Sequence, residues 1–250
     1  MNYRLTIQYD GTDFHGWQTQ TERQRTVQGE LERVFGMLEG AAVHVCGSGR
    51  TDAGAHAEGQ VANVKLAKNF APEKLLGAIN GNLARDVRVL QVEKADDNFH
   101  ARFCAKGKTY VYRVVNAPVL SPFLARYAHH ETRALDIRRM NETARLFLGT
   151  HDWTAFSAAS SEAETRVRTI TEFTVEASRD ERANASIIEF RLKGNGFLRY
   201  MVRSIVGTML EVGRGEKDSA TIRKAIAGGD RNLAGMTSPA CGLTLLKVHY

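Results

Sequence analysis

The chain has little proline, little cysteine and no long apolar run, and each shortage removes a class of protein. Four prolines in 250 residues, with no low-complexity tract, leave no place for a long disordered linker. The three cysteines, Cys46, Cys104 and Cys241, are odd in number, far apart and without a CxxC pair. They read as reduced thiols, and neither a disulfide framework nor a structural zinc site is expected. No apolar stretch approaches the roughly 18 residues of a membrane span. The opening "MNYRLTIQYD" has the alternation of a strand and not the charged-then-apolar order of a signal peptide, so the expected location is cytoplasmic. Runs of about five or six like charges are missing too, which argues against a basic disordered tail.

What is present suits a folded enzyme or binding protein. Apolar residues make up 43% and charged residues 25%, ordinary values for a chain that buries a core, as one large domain or two small ones. Lys and Arg number 34 against 28 Asp and Glu, a net charge of +6, and the pI is about 9.3. This excess favours a polyanionic partner, because neutralising phosphates releases counterions. Arg50, Lys106, Lys108, Arg113, Arg166, Arg168, Arg199 and Arg203 lie in or beside the motif-like segments described below.

The order of elements occurs twice. Tyr3, Leu5, Ile7 and Tyr9 alternate as a strand ending at the Asp10-Gly11 turn. Val27, Leu31, Val34, Phe35 and Leu38 have helical spacing behind Thr26, a candidate N-cap. "AAVHVCG" and "QVANVKL" read as strands on either side of a Gly-rich loop. A helix opens at Pro72 and closes at Asn80-Gly81-Asn82, and "DVRVLQVEK" is the next strand. In the second half "KTYVYRVV" is a strand, and Asp136 caps a helix carrying Ile137, Met140, Ala144 and Phe147. "RVRTITEFTVEA" and "SIIEFRLKG" are two further strands. A long helix through Met201 to Leu210, a shorter one from Asp218 and the strand "CGLTLLKVHY" complete the chain. Each half is βαββαβ, with one extra helix in the second. The expected fold class is therefore α/β, with two βαββαβ-type domains, residues 1–105 and 106–250. Antiparallel or mixed sheets would lie side by side, with a cleft at their junction.

The segment that concentrates chemistry is Gly47–Ala57, "GSGRTDAGAHA", where Arg50 and Asp52 stand among glycines and alanines. The glycines read GxGxxxxG, which matches neither the dinucleotide fingerprint nor the P-loop, and no Lys-Ser/Thr follows. A metal reading could use Asp52, His56 and His100, but the Asp-x-x-x-His pair needs a helix and Gly-rich sequence between strands does not supply one. An isolated Asp in such a turn ordinarily caps nearby amides. Against that, Arg50 and Asp52 project together only if the backbone takes unusual angles, for which glycines are suited. The small residues also leave room for a bulky flat ligand.

These residues carry a resemblance. "GRTDAGAHA" resembles the catalytic motif of the tRNA pseudouridine synthase A family, "YDGTDFHGWQ" its first motif and "FHARFCAKGKTYVYRV" its second segment. "GNGFLRYMVRSIVGTMLEVGRG" resembles its long helix and "SPACGLTLLKVHY" its last strand, so the likeness runs in order over nearly the whole chain. The resemblance implies the pseudouridine synthase fold, two α/β domains facing a basic cleft. It also implies isomerisation of uridines 38, 39 and 40 in the tRNA anticodon stem-loop by a homodimer. No cofactor or metal is implied, since every atom of the product is already in the substrate. It makes Asp52 the catalytic carboxylate, as nucleophile or, in the competing glycal scheme, as a base on the sugar, and either role requires the ionised form. Arg203, on an apolar-flanked helix, is its implied cationic partner. Tyr110 would stack on the flipped base, and Arg50 would fill the vacated space or hold a phosphate. Leu245 would wall the base pocket; plain sheet core is the equal reading. His56, His100 and His151 receive no catalytic role, Tyr112, Trp17 and Trp153 read as packing residues, and Lys106, Lys108, Arg166 and Arg168 are candidate phosphate contacts. The alternative from another class is a non-catalytic RNA-binding protein of two RRM-like modules, but "KGKTYVYRV" lacks the glycine-aromatic core of RNP1. A metal-dependent hydrolase would need a clustered ligand set that the sequence does not offer.

Overall fold

A computed structural model describes residues 1–21, 24–159 and 164–250. The strands are β1 (Asn2–Tyr9), β2 (Val45–Gly47), β3 (His56–Lys65), β4 (Val87–Ala95), β5 (Gly107–Asn116), β6 (His129–Glu131), β7 (Gly149–Asp152), β8 (Val167–Asp180), β9 (Ala185–Gly194) and β10 (Leu243–His249). The helices are α1 (Val27–Glu39), α2 (Pro72–Asn82), α3 (Ile137–Ala144), α4 (Met201–Gly213) and α5 (Ser219–Gly228). They form two compact units, Met1–Lys106 with Thr244–Tyr250, and Gly107–Leu243.

In the first unit β1 lies between β3 and β4, antiparallel to both, and β2 adds to β3, also antiparallel. The period-two pattern of β1 sends Tyr3, Leu5 and Ile7 fully into the core. Val27, Leu31, Val34 and Phe35 of α1 are equally buried. Thr26 caps that helix by accepting the Gly29 N–H at 3.2 Å, and Gly40 ends it at φ 82°. Pro72 opens α2, and Asn80 near its end docks on β4, donating to the Val89 carbonyl at 2.7 Å and accepting its N–H at 3.0 Å.

The second unit has the order β5-β9-β8-β7, with successive strands antiparallel and β6 parallel to β5. Asp136 caps α3 through the Arg139 N–H at 2.9 Å. The expected apolar face of this helix runs on to Phe147, but the last turn tightens into a 3-10 turn, Arg145–Phe147. Phe147 there stacks on Trp153 at 6.2 Å and meets Phe156 and Phe173 edge-on. α4 is buried on nearly every side. β6 and β7 are short, polar strands that show no apolar alternation, so their sequences carry no strand signal; pairing to β5 and β8 defines them.

The final strand is where the topology departs from a second self-contained βαββαβ. Thr244 and Leu245 of β10 pair in parallel with His56 and Ala57 of β3. β2 occupies that edge of β3 only at residues 62–64, which leaves the other end open. The run Leu243, Thr244, Leu245 is buried without alternation, as expected of a strand covered on both faces.

Candidate active site

The connection between β2 and β3 carries Arg50 and Asp52, and a buried polar network holds it. Gln60 on β3 has no exposed surface; its Nε2 donates to the Gly49 carbonyl at 2.9 Å, and its Oε1 accepts the Ser48 hydroxyl at 2.7 Å. Thr51 and Tyr9 share a hydroxyl–hydroxyl bond of 2.8 Å, and Gln60 Nε2 reaches Tyr9 Oη at 3.4 Å. Burial pushes the Tyr9 phenol up to about 12, against the lowering effect of its bonds to Thr51 and Gln60, so it stays protonated. Within the loop Ala55 N–H donates to the Asp52 carbonyl at 3.1 Å, and Gly54 between them sits at φ 79°. Asp52 is half-buried, Arg50 exposed and Thr51 buried.

The segment "YDGTDFHGWQ" is the second wall of this loop. Trp17 N–H donates to the Thr51 carbonyl at 3.1 Å and Gly54 N–H to the Phe14 carbonyl at 3.3 Å. A side chain at Gly11 would lie 1.9 Å from the Ala55 carbonyl oxygen, and one at Gly47 2.4 Å from the Trp17 ring. His56 is buried; its Nδ1 accepts the Gly11 N–H at 3.0 Å and lies 3.3 Å from Asp10 Oδ1. The expectation that the glycines supply unusual angles thus holds for Gly54, whereas Gly47 supplies space. Arg25 fastens the same segment, binding Asp86 through two nitrogens at 2.7 and 2.8 Å while lying 4.1 Å from the Phe14 ring centre. Hydrogen bonding to Arg25 holds the Asp86 carboxyl below its ordinary range. Leu245 is fully buried on β10 beside Ala57, five residues along from Asp52.

In the second unit Tyr110 lies on β5 opposite Leu192, 7% exposed, with its ring edge-on to Phe197 at 5.1 Å. Tyr112 on the same face is fully buried and donates to the Pro239 carbonyl at 2.8 Å, and burial raises its phenol. Arg203 and Ser238 bond reciprocally: the guanidinium Nε donates to the Ser238 carbonyl at 2.7 Å, and Ser238 N–H donates back at 3.1 Å. Its guanidinium also lies 5.0 Å from the Tyr200 ring centre, and that of Arg199 4.8 Å. Tyr200 holds the left-handed conformation, φ 65°, immediately before α4. Of the candidate phosphate contacts, Arg166 is engaged by Ser157 Oγ at 3.0 Å and the Ala159 carbonyl at 2.8 Å. Arg168 binds the Thr165 and Val167 carbonyls, and Lys106 is exposed. Among the described residues no group of three or more His, Cys, Asp or Glu could hold a metal ion.

Sequence reasoning missed Gln60, Thr51 and Tyr200. Gln60 is read correctly as a strand residue, but a buried amide bridging two loop carbonyl and hydroxyl groups leaves no periodic trace. Nothing in the spacing around Tyr200 marks a left-handed residue, which glycine or asparagine would have signalled.

A family model described as tRNA pseudouridine synthase matches residues 5–104 and 143–250. The chain belongs to that family. It is 42% identical over 249 residues to a tRNA pseudouridine synthase A of Bacillus sp. (strain KSM-64), covering 100% of this chain and 99% of the relative. It is 44% identical over 248 residues to one of Geobacillus sp. (strain WCH70), covering 99% and 97%. With one of Geobacillus kaustophilus (strain HTA426) the identity is 45% over 248 residues, covering 99% and 93%. The fold is that of a pseudouridine synthase, and the activity is that of an isomerase acting on tRNA uridine. No helix among the described residues is long and apolar enough to cross a membrane.

Proposed function

We propose that this isomerase converts uridines 38, 39 and 40 of the tRNA anticodon stem-loop to pseudouridine, with Asp52 as its nucleophile. The observation that carries this reading is the half-buried Asp52, set in a loop whose backbone is held before it by Gln60 at Gly49 and Trp17 at Thr51, and after it by Phe14 at Gly54. A carboxylate that must meet the sugar of a flipped nucleotide gains from such a fixed mount, because no loop ordering is left to do at binding.

Attack of the ionised Asp52 at C1′ breaks the N-glycosidic bond and leaves the base as an anion in the site. The base turns, C5 forms the new bond to C1′ and the carboxylate leaves. The C5 proton departs and N1 takes one up, so atoms and charge balance without a co-reactant. Tyr110 stacks on the base, and Arg203 supplies a fixed cation to the substrate, its Nε already held by Ser238. Arg50, exposed beside Asp52, fills the space the uridine vacates, and Leu245 is an apolar wall for the base. Labour divides between residues 1–105, which carry Asp52 and Arg50, and residues 106–250, which carry Tyr110 and Arg203, while Leu245 comes from the end of the chain that joins the first unit. The working form is a cytoplasmic homodimer that engages one tRNA with both copies.

Unmodified tRNA transcripts incubated with the enzyme and mapped by carbodiimide-dependent primer-extension stops test the reading. Stops at positions 38 to 40 are expected; stops confined elsewhere, or none, contradict it. Light scattering of the purified protein checks the dimer.

A further inference from the structure

Outside the loop of Asp52, the first unit builds a second feature suited to RNA, the turn Phe99–Cys104. Three side chains tie it to the sheet, and one backbone bond closes it. Asn2 Nδ2 donates to the Asp96 and Phe99 carbonyls at 2.8 and 2.9 Å, and Asn63 Oδ1 accepts the Ala101 N–H at 2.9 Å. Tyr250 Oη donates to the Ala101 carbonyl at 2.7 Å, and Cys104 N–H to the His100 carbonyl at 3.0 Å. Asn2 and Asn63 are 1% and 5% exposed and bond to each other at 3.2 Å, so the anchor is buried amide and not surface contact. The Phe99 and Tyr250 rings pack on each other, centres 5.3 Å apart, and the Arg4 guanidinium lies 5.6 and 4.6 Å from those centres.

On this rigid mount the Phe103 ring is 77% exposed. His100 lies against it, ring centres 4.4 Å apart at 39°, and the Arg102 guanidinium is 5.7 Å from its centre. His100 Nδ1 accepts the Arg102 N–H at 3.2 Å, which fixes the imidazole beside the ring. Arg102 and Lys106 are exposed. An aromatic face held bare beside an imidazole and a guanidinium, at no cost of ordering, is the equipment for stacking an unpaired base, which every nucleobase satisfies through its π-face. Asn63, the anchor on β3, stands six residues from Ala57, or about 20 Å along the strand from the end that carries the Asp52 loop. The base stacked here is therefore not the target uridine.

We propose that Phe103, flanked by His100 and Arg102, is a stacking platform for an unpaired or splayed nucleobase of the substrate tRNA, remote from the reacting nucleotide. It rests on the reading of this chain as a tRNA-binding enzyme. Phe103→Ala, Phe103→Trp and the distant surface control Leu90→Ala are compared with the unaltered enzyme by filter binding to unmodified tRNA transcript at several salt concentrations. Phe103→Ala should weaken binding by roughly five- to a hundredfold with the salt slope unchanged, because stacking neutralises no phosphate. Phe103→Trp should bind like the unaltered enzyme. The two natural tryptophans are 3% and 0% exposed, so the new indole dominates quenching by iodide. Saturating tRNA should suppress that quenching. Unchanged affinity of Phe103→Ala, or an indole equally open to iodide with tRNA bound, overturns the platform while leaving pseudouridine formation by the unaltered enzyme standing. A change of oligomeric mass in Phe103→Ala assigns the ring to a contact between copies and overturns it likewise. No tRNA binding by the unaltered enzyme overturns both readings.

Discussion

Two glycines with the same chemistry do opposite work in this chain. Gly47 ends β2 where an added Cβ would stand 2.4 to 2.5 Å from three atoms of the Trp17 ring, whereas Gly81 in α2 has nothing within 4 Å. Gly47→Ala must displace the buried indole of Trp17, the residue whose backbone N–H bonds the Thr51 carbonyl, and should cost about 1–3 kcal/mol, a fall in Tm of several degrees. Gly81→Ala should be neutral or stabilise by up to about 1 kcal/mol. Thermal melts of the two variants separate the cases. Both residues are equally visible in the sequence, but which one faces an indole is decided by the chain crossing above it. Tyr200 shows the same limit from the other side. Its left-handed backbone, at a cost of about 1–3 kcal/mol, places its ring between Arg199 and Arg203, and no local pattern announces it.

At the scale of elements, β1, α1, β3, α2, β4, β5, β9 and α4 are all legible, because each buries a face with a clear period. Thr26, Asp136 and Asp218 act as the N-caps their positions suggest. β6 is invisible to that logic, yet it carries Glu131, which is 5% exposed between Arg133 and Arg214, each at 2.9 Å. Burial alone would raise this carboxyl. Hydrogen bonds from Arg133 and the charges of both arginines outweigh it and hold the group near 2, below its ordinary 4.5. A depressed carboxyl stabilises the fold above its unfolded value, and the contribution is lost as pH falls from about 4.5 towards 2. Glu131→Gln should therefore be less stable at neutral pH by about 1–3 kcal/mol. It should also show a flatter acid limb than the parent across that window. Parallel acid-denaturation curves at fixed salt would measure both.

For the molecule as a whole, the net charge of +6 points to a polyanion, and the placement of the cations refines it. Arg166 and Arg168 are occupied by the chain's own Ser157, Ala159, Thr165 and Val167, so their role begins with holding their own loop. Lys106 is exposed at the last position of the first unit's main segment. Lys106→Ala should weaken tRNA binding and lower the slope of log K against log salt by about one, with a smaller effect on the chemical step. Arg166→Ala should show a larger loss of stability than of salt slope. Composition could not separate these two cations, since what distinguishes them is the carbonyl and hydroxyl groups that folding brings within reach. Five motifs in order made the family legible, while the reach of β10 to the edge of β3 depended on pairing between residues almost two hundred positions apart.

Asp52 is the residue proposed to make and break the bond to the sugar. The direct measurement is single-turnover release of tritium from C5-labelled uridine in unmodified tRNA, comparing the enzyme with Asp52→Asn. The parent should release tritium to completion. Asp52→Asn, which is isosteric and removes the charge and the nucleophile, should bind the tRNA and release none. Release by Asp52→Asn at the parental rate would show that another group attacks the sugar.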